Sequence, residues 1–115
     1  MKKLTTIYLV SLFFCVFLLA HGDEKTGVLV DAKCGAQLEG ESSDAARHTI
    51  SCSLHCKDSG FGIIAQGKFF RFDDSGNKQA LLLLKATEKE SNLKVRVGGH
   101  FVGDLIEVTE IETVE

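Results

Sequence analysis

Leu93-Lys94-Val95-Arg96-Val97 and, eight residues on, Leu105-Ile106-Glu107-Val108-Thr109-Glu110-Ile111 decide the fold. In both, branched apolar residues alternate with charged or polar ones, the period-2 signature of strands with one face buried and one facing water. Gly98-Gly99 reads as a break after the first strand, and Phe101 to Gly103 as a turn before the second. Upstream, Phe61 to Gln66 and Phe69-Phe70-Arg71-Phe72 flank Gly67-Lys68 and read as a hairpin with Gly67 in or near its turn. Asp73-Asp74-Ser75-Gly76-Asn77 closes that hairpin as a hydrated turn. Further upstream, after a polar lead-in from Asp23 to Thr26, Gly27 to Ala32 is a short strand with Val28 and Val30 on one face and Leu29 on the other.

Between these strands lie two helical segments. Ser43 or Asp44 caps a helix with the body AARHTISCSLHCK, ended by Gly60. Lys78 to Ala86 is rich in helix formers, with Leu81, Leu82 and Leu84 as its apolar face, and Glu88 to Asn92 is a charged turn. The fold class is therefore mainly β with one or two short helices: a small five-stranded, OB-like barrel with a helix after strand 1. Closure removes the exposed edges that an open sheet of five strands would leave.

The first 22 residues read as a signal peptide rather than as part of this domain. Met1-Lys2-Lys3 is followed by the uncharged, mostly apolar run Leu4 to Ala20 and then by His21-Gly22-Asp23. Small residues at Ala20 and Gly22 place cleavage after Gly22, with Ala20 as second choice, leaving residues 23–115 as one barrel domain that is periplasmic or secreted. An uncleaved anchor is the alternative, since about 17 uncharged residues sit at the lower limit of a membrane span. Cys15 lies inside the apolar run after Phe13-Phe14, which argues against lipidation there.

Loss of Lys2 and Lys3 takes the basic count from 13 to 11 against 16 acidic residues, a net charge of −5 with His neutral. So acidic a chain lacks the basic surface that phosphate binding needs, which excludes nucleic acid as the expected partner and limits membrane contact to the leader. A small ligand or an envelope protein remains.

The chemistry concentrates between Cys34 and Cys56, CGAQLEGESSDAARHTISCSLHC, which holds every cysteine after the leader. On one continuous helix His48, Cys52, His55 and Cys56 project at about 0°, 40°, −20° and 80°, a single arc of roughly 100° that Cys34 reaches from the end of the first strand. Three readings stay open, the least favoured being that the thiols are simply buried and unpaired. In an exported protein cysteines usually pair, so Cys34 bridges Cys52 or Cys56 and leaves one thiol over. Alternatively Cys34, His48, Cys52 and Cys56, with His55 as a substitute ligand, form a Cys₃His site for zinc or copper(I). Haem attachment and a thioredoxin-like site both fail on the missing C-x-x-C. His100 reads as a solvated loop residue, and Asp73 to Asn77 lacks the twelfth-position glutamate of a calcium loop, since Leu84 stands there. No catalytic residues are expected.

Taken together, Gly27-x-Leu29-x-Asp31-x-x-Cys34-Gly35, His48-x₃-Cys52-x₃-Cys56, Gly60, Gly67 to Asp73, Leu93-x-Val95-x-Val97-x-Gly99 and Ile106-x-Val108 resemble a group of small exported bacterial proteins of unknown function. The likeness covers nearly all of the chain after the leader, and its back half is similar to periplasmic bacterial OB-fold proteins. The resemblance implies an oligonucleotide/oligosaccharide-binding-type barrel that binds a small molecule or a cation. The expected function is an exported, non-enzymatic binding or envelope-stress module whose Cys/His cluster is closed by a disulfide; the alternative is a zinc- or copper(I)-binding protein.

Overall fold

The computed structural model describes residues 22–40 and 42–114, so residues 1–21 of the expected leader, with Cys15, lie outside the described residues. Strand β1 spans Asp23–Asp31 and runs into a four-residue helix, α1, Ala32–Gly35, and a 3₁₀ turn at Ala36–Leu38. Helices α2, Ser42–Arg47, and α3, Ile50–His55, are followed by a second 3₁₀ turn, Lys57–Ser59. Then come β2, Phe61–Ala65, β3, Lys68–Phe72, α4, Asp74–Ala86, β4, Lys94–Val102, and β5, Leu105–Thr113.

The five strands close in the order β1-β2-β3-β5-β4, the expected OB-like barrel. Closure depends on β1, which serves two neighbours in succession: its first half pairs with β4 from Asp23↔Gly99 to Val28↔Lys94, and its second half with β2 from Val28↔Ile64 to Asp31↔Phe61. Gly27, where the strand passes between partners, leaves no room for a Cβ against the carbonyl of Ile64. At the far seam β3 and β5 are parallel over Arg71↔Leu105 and Phe72↔Ile106, extended by the Asp73 amide donating to the Ile106 carbonyl at 3.1 Å.

Alternation fills the interior as the sequence implies. Leu29, Phe61, Ile63, Phe72, Leu84, Val95, Val97, Ile106 and Val108 form the main core, and Val28 and Val30, on the other face of β1, join Ile64 and Ala45 in a second cluster beneath α2. The Gln66-Gly67 turn has φ of 51° and 79°, the left-handed pair that lets a two-residue hairpin follow the strand twist.

Four local expectations are corrected. Asp23 to Thr26 is strand, because β4 supplies a ladder that a polar sequence does not advertise. Gly98-Gly99 does not end β4, which continues to Val102 through a bulge at this pair; an extra residue in one strand keeps the ladder with β5 running. Asp73 is no loop residue: its Oδ1 accepts from the Gly76 amide at 3.0 Å as N-cap of α4 and from the Val108 amide at 3.1 Å, so one carboxylate starts the helix and fastens it to β5. The helix thus begins at Asp74, four residues before Lys78. Leu82, placed on the apolar face, is 69% exposed, while Leu84 and Ala80 carry the packing.

Candidate functional site

The expected single helix across 44–57 is in fact two. Thr49 has extended backbone (φ −81°, ψ 151°), and its side chain accepts from the Cys52 amide at 3.1 Å, which makes it the N-cap of α3. The Ile50 amide turns away to the Glu90 carbonyl at 2.8 Å. A β-branched hydroxyl residue competes with the helix for its own backbone, and here a tertiary bond settles the competition. The arc computed for one continuous helix therefore does not exist, and His48 sits at the junction of α2 and α3 rather than on their common face.

At that junction His48 meets Asp31. The carboxylate ends β1 on the Leu29 side of the strand and is fully buried (0% exposed). Its Oδ2 accepts from the Cys34 amide at 3.0 Å, capping α1, and its Oδ1 accepts from His48 Nε2 at 2.7 Å. The His48 side chain is 12% exposed. A distance of 2.7 Å is that of a charge-assisted bond, and two donors on one carboxylate are what a buried acid requires. The same pair clasps the α2–α3 junction onto the end of the barrel.

Cys34 completes the group: a carboxylate oxygen of Asp31, Cys34 Sγ and a ring nitrogen of His48 all lie within 4.8 Å of one another. Burial pushes the Cys34 thiol above its ordinary value, the Asp31 carboxylate beside it pushes further, and Cys56 and then Cys52 add to the same direction. Thiolate activation for catalysis needs the reverse, a positive or donor-rich surrounding.

The segment that begins at Cys56 is tied to α1 by a chain of hydrogen bonds. The Ala32 amide donates to the Gly60 carbonyl at 2.8 Å and the Lys33 amide to Ser59 Oγ at 3.0 Å. Ser59 Oγ in turn donates to the Cys56 carbonyl at 2.7 Å. Segment 56–60 is thereby laced to α1, which carries Cys34, and Cys56 is half-buried. Cys52 and His55 are exposed, and neither they nor Cys56 belong to the Asp31–Cys34–His48 group. Cys34, Cys52 and Cys56 are free thiols in this structure, with no bridge from Cys34 to Cys52 or Cys56. His100 is exposed on β4.

Of the four ligands expected from the sequence, the structure thus brings Cys34 and His48 together and leaves Cys52 and Cys56 outside their group, with segment 56–60 tied to the helix that carries Cys34. The residue that sequence reasoning missed is Asp31. Its signal was present in Asp31-x-x-Cys34: an acid three residues before a helical position is an N-cap pattern, and an acid ending an apolar strand is a candidate for burial.

Comparison with protein-family models, with curated proteins and with solved structures gives no match.

Proposed function

We propose that the protein is a non-enzymatic metal-binding module that takes zinc at Asp31, Cys34 and His48, with Cys56 as fourth ligand. The observation that supports this most is the convergence of an oxygen, a nitrogen and a sulfur donor within 4.8 Å around a fully buried carboxylate. Structural clasps use one or two hydrogen bonds; a thiol gathered into the same space adds a donor that the clasp does not need. The ligand types favour zinc over copper(I). Zinc is borderline-soft and accepts Asp, His and Cys together, whereas copper(I) selects thiolate and thioether sets and has little use for a carboxylate.

Binding exchanges protons for metal. Metal binding would displace the proton that burial and Asp31 hold on Cys34 Sγ, so affinity should rise with pH. Export, inferred from the leader, would place the site where metal arrives from outside the cell and where thiols are exposed to oxidants.

The test is a titration of the reduced, metal-free protein with zinc and, separately, with cobalt(II). About one ion per chain is expected, with a raised thermal midpoint and a thiolate-to-cobalt absorption band that Cys34→Ser removes. No binding, or binding that survives in both Asp31→Ala and Cys34→Ser, refutes the proposal.

A further inference from the structure

We infer that Cys34 and Cys56 form a redox pair that discharges the metal: oxidation of these two thiols to a disulfide empties the site. The inference rests on the zinc reading above and adds to it a means of release.

Three features of the structure single out this pair. The first is placement. Cys34 lies in the group that gathers the donors, and Cys56 ends α3 on the side where Ser59 and Gly60 are bonded to Lys33 and Ala32. The second is that the part which has to close lies at the surface. Bridging needs the two Cα atoms within about 7 Å, so one segment must close on the other. Lys57, Asp58 and Ser59 are exposed, so closure has to rearrange the hydrogen bonds of Ser59 and Gly60 to α1 but opens neither core cluster. Cys34 is fixed by contrast, because its amide is bonded to Asp31 and the adjoining Gly35 has no space for a Cβ against the Phe69 ring.

The third feature is the exclusion of Cys52. It projects from the first turn of α3, its amide tied to Thr49 Oγ1, and one helical turn separates it from Cys56, at the outer limit of bridging geometry. Cys34 is left with two possible partners, of which Cys56 is half-buried and Cys52 exposed, and the pairing is assigned to Cys56.

The step balances with a disulfide as oxidant. A zinc-bound pair of thiolates and one external disulfide, with two protons, give free zinc, the Cys34–Cys56 bond and two molecules of external thiol. One sulfur–sulfur bond breaks and one forms; the two cysteine sulfurs are oxidised and the external disulfide is reduced. Zinc would keep its charge and be released, because the two sulfurs lose their thiolate charge on forming the disulfide and become poor donors.

The experiment uses the full chain after its leader, reduced and loaded with zinc, then treated with oxidised glutathione. Zinc release is followed with a chromophoric indicator, and the bridge is mapped by peptide mass spectrometry. Expected are a Cys34–Cys56 linked peptide, an alkylatable Cys52, loss of zinc affinity by at least about 100-fold, and full recovery on reduction. Cys52→Ser should behave as the parent, whereas Cys56→Ser should lose the bridge and bind zinc weakly in both states; its far-ultraviolet circular dichroism confirms that it is folded. Equal zinc affinity in the reduced and oxidised protein, or a bridge mapped to Cys52, overturns the switch and leaves the zinc reading standing. Failure of the reduced protein to bind zinc overturns both.

Discussion

Asp31→Ala is the perturbation that probes the site most directly, and its size follows from what the carboxylate touches. Asp31 is fully buried and accepts from His48 Nε2 at 2.7 Å and from the Cys34 amide at 3.0 Å. Deleting one partner of a buried pair costs about 3–5 kcal/mol, because the other is left without compensation. A hydrogen bond to a charged group contributes about 1.5–3 kcal/mol by itself, and that loss is contained in the first figure since both donors lose the same acceptor. We therefore expect about 3–5 kcal/mol in total, about a fifth or more of the stability typical of a single domain. At about 4–8 °C per kcal/mol the thermal midpoint should fall by at least about 12 °C.

The assay is urea unfolding of the metal-free, reduced protein, with the change read from the midpoint at unchanged slope. Asp31→Asn is the informative companion. Its oxygen still accepts from the Cys34 amide and its NH₂ can donate to a neutral imidazole, so it should recover more than half of the loss while binding zinc far more weakly. A double-mutant cycle with His48→Ala should show coupling of at least about 1 kcal/mol. A loss below about 1 kcal/mol for Asp31→Ala would refute the view that this carboxylate fastens the α2–α3 junction to the barrel.

The remaining predictions concern the thiol and the scaffold. With burial and Asp31 pushing the Cys34 thiol up, its alkylation in the metal-free protein, followed peptide by peptide against pH, should reach half its maximal rate above the ordinary thiol range; a half-point at or below that range contradicts the environment described. The linked stability has a definite sign: the folded state favours the neutral thiol, so this contribution is complete below the unfolded thiol's titration and is lost as pH rises through the folded one. Leu84→Ala should cost about 2–5 kcal/mol, because Leu84 is 1% exposed against the barrel, and Leu82→Lys should stay within about 0.5 kcal/mol because Leu82 is 69% exposed. Comparable losses at both positions would mean that α4 packs through another face. Gly62→Ala should cost at least about 2 kcal/mol in the same urea assay, since its Cβ would meet the Phe70 carbonyl and the Phe69 ring where β2 and β3 pair; a neutral result would show that the hairpin can spread.

The sequence by itself determined the strands and their inward faces, because alternation in Leu93–Val97 and Leu105–Ile111 is a local property that survives any arrangement of neighbours. It determined the hairpin too, since Gly67 supplies the backbone freedom its turn demands. It also marked the right region for chemistry, with Cys34 and His48 among the chosen residues. What the tertiary structure alone decided are the places where a distant segment outbids local preference. Gly98-Gly99 looks like a terminator until β5 pairs across it, and Asp23 to Thr26 looks like a loop until β4 runs alongside. The helix through His48 looks continuous until the Glu90 carbonyl takes the Ile50 amide and Thr49 caps the next turn. Asp31 became part of the site for the same reason. Asp31-x-x-Cys34 carries a capping pattern in the sequence, but only closure of the barrel under α2 and α3 withdraws the carboxylate from water and brings His48 to it.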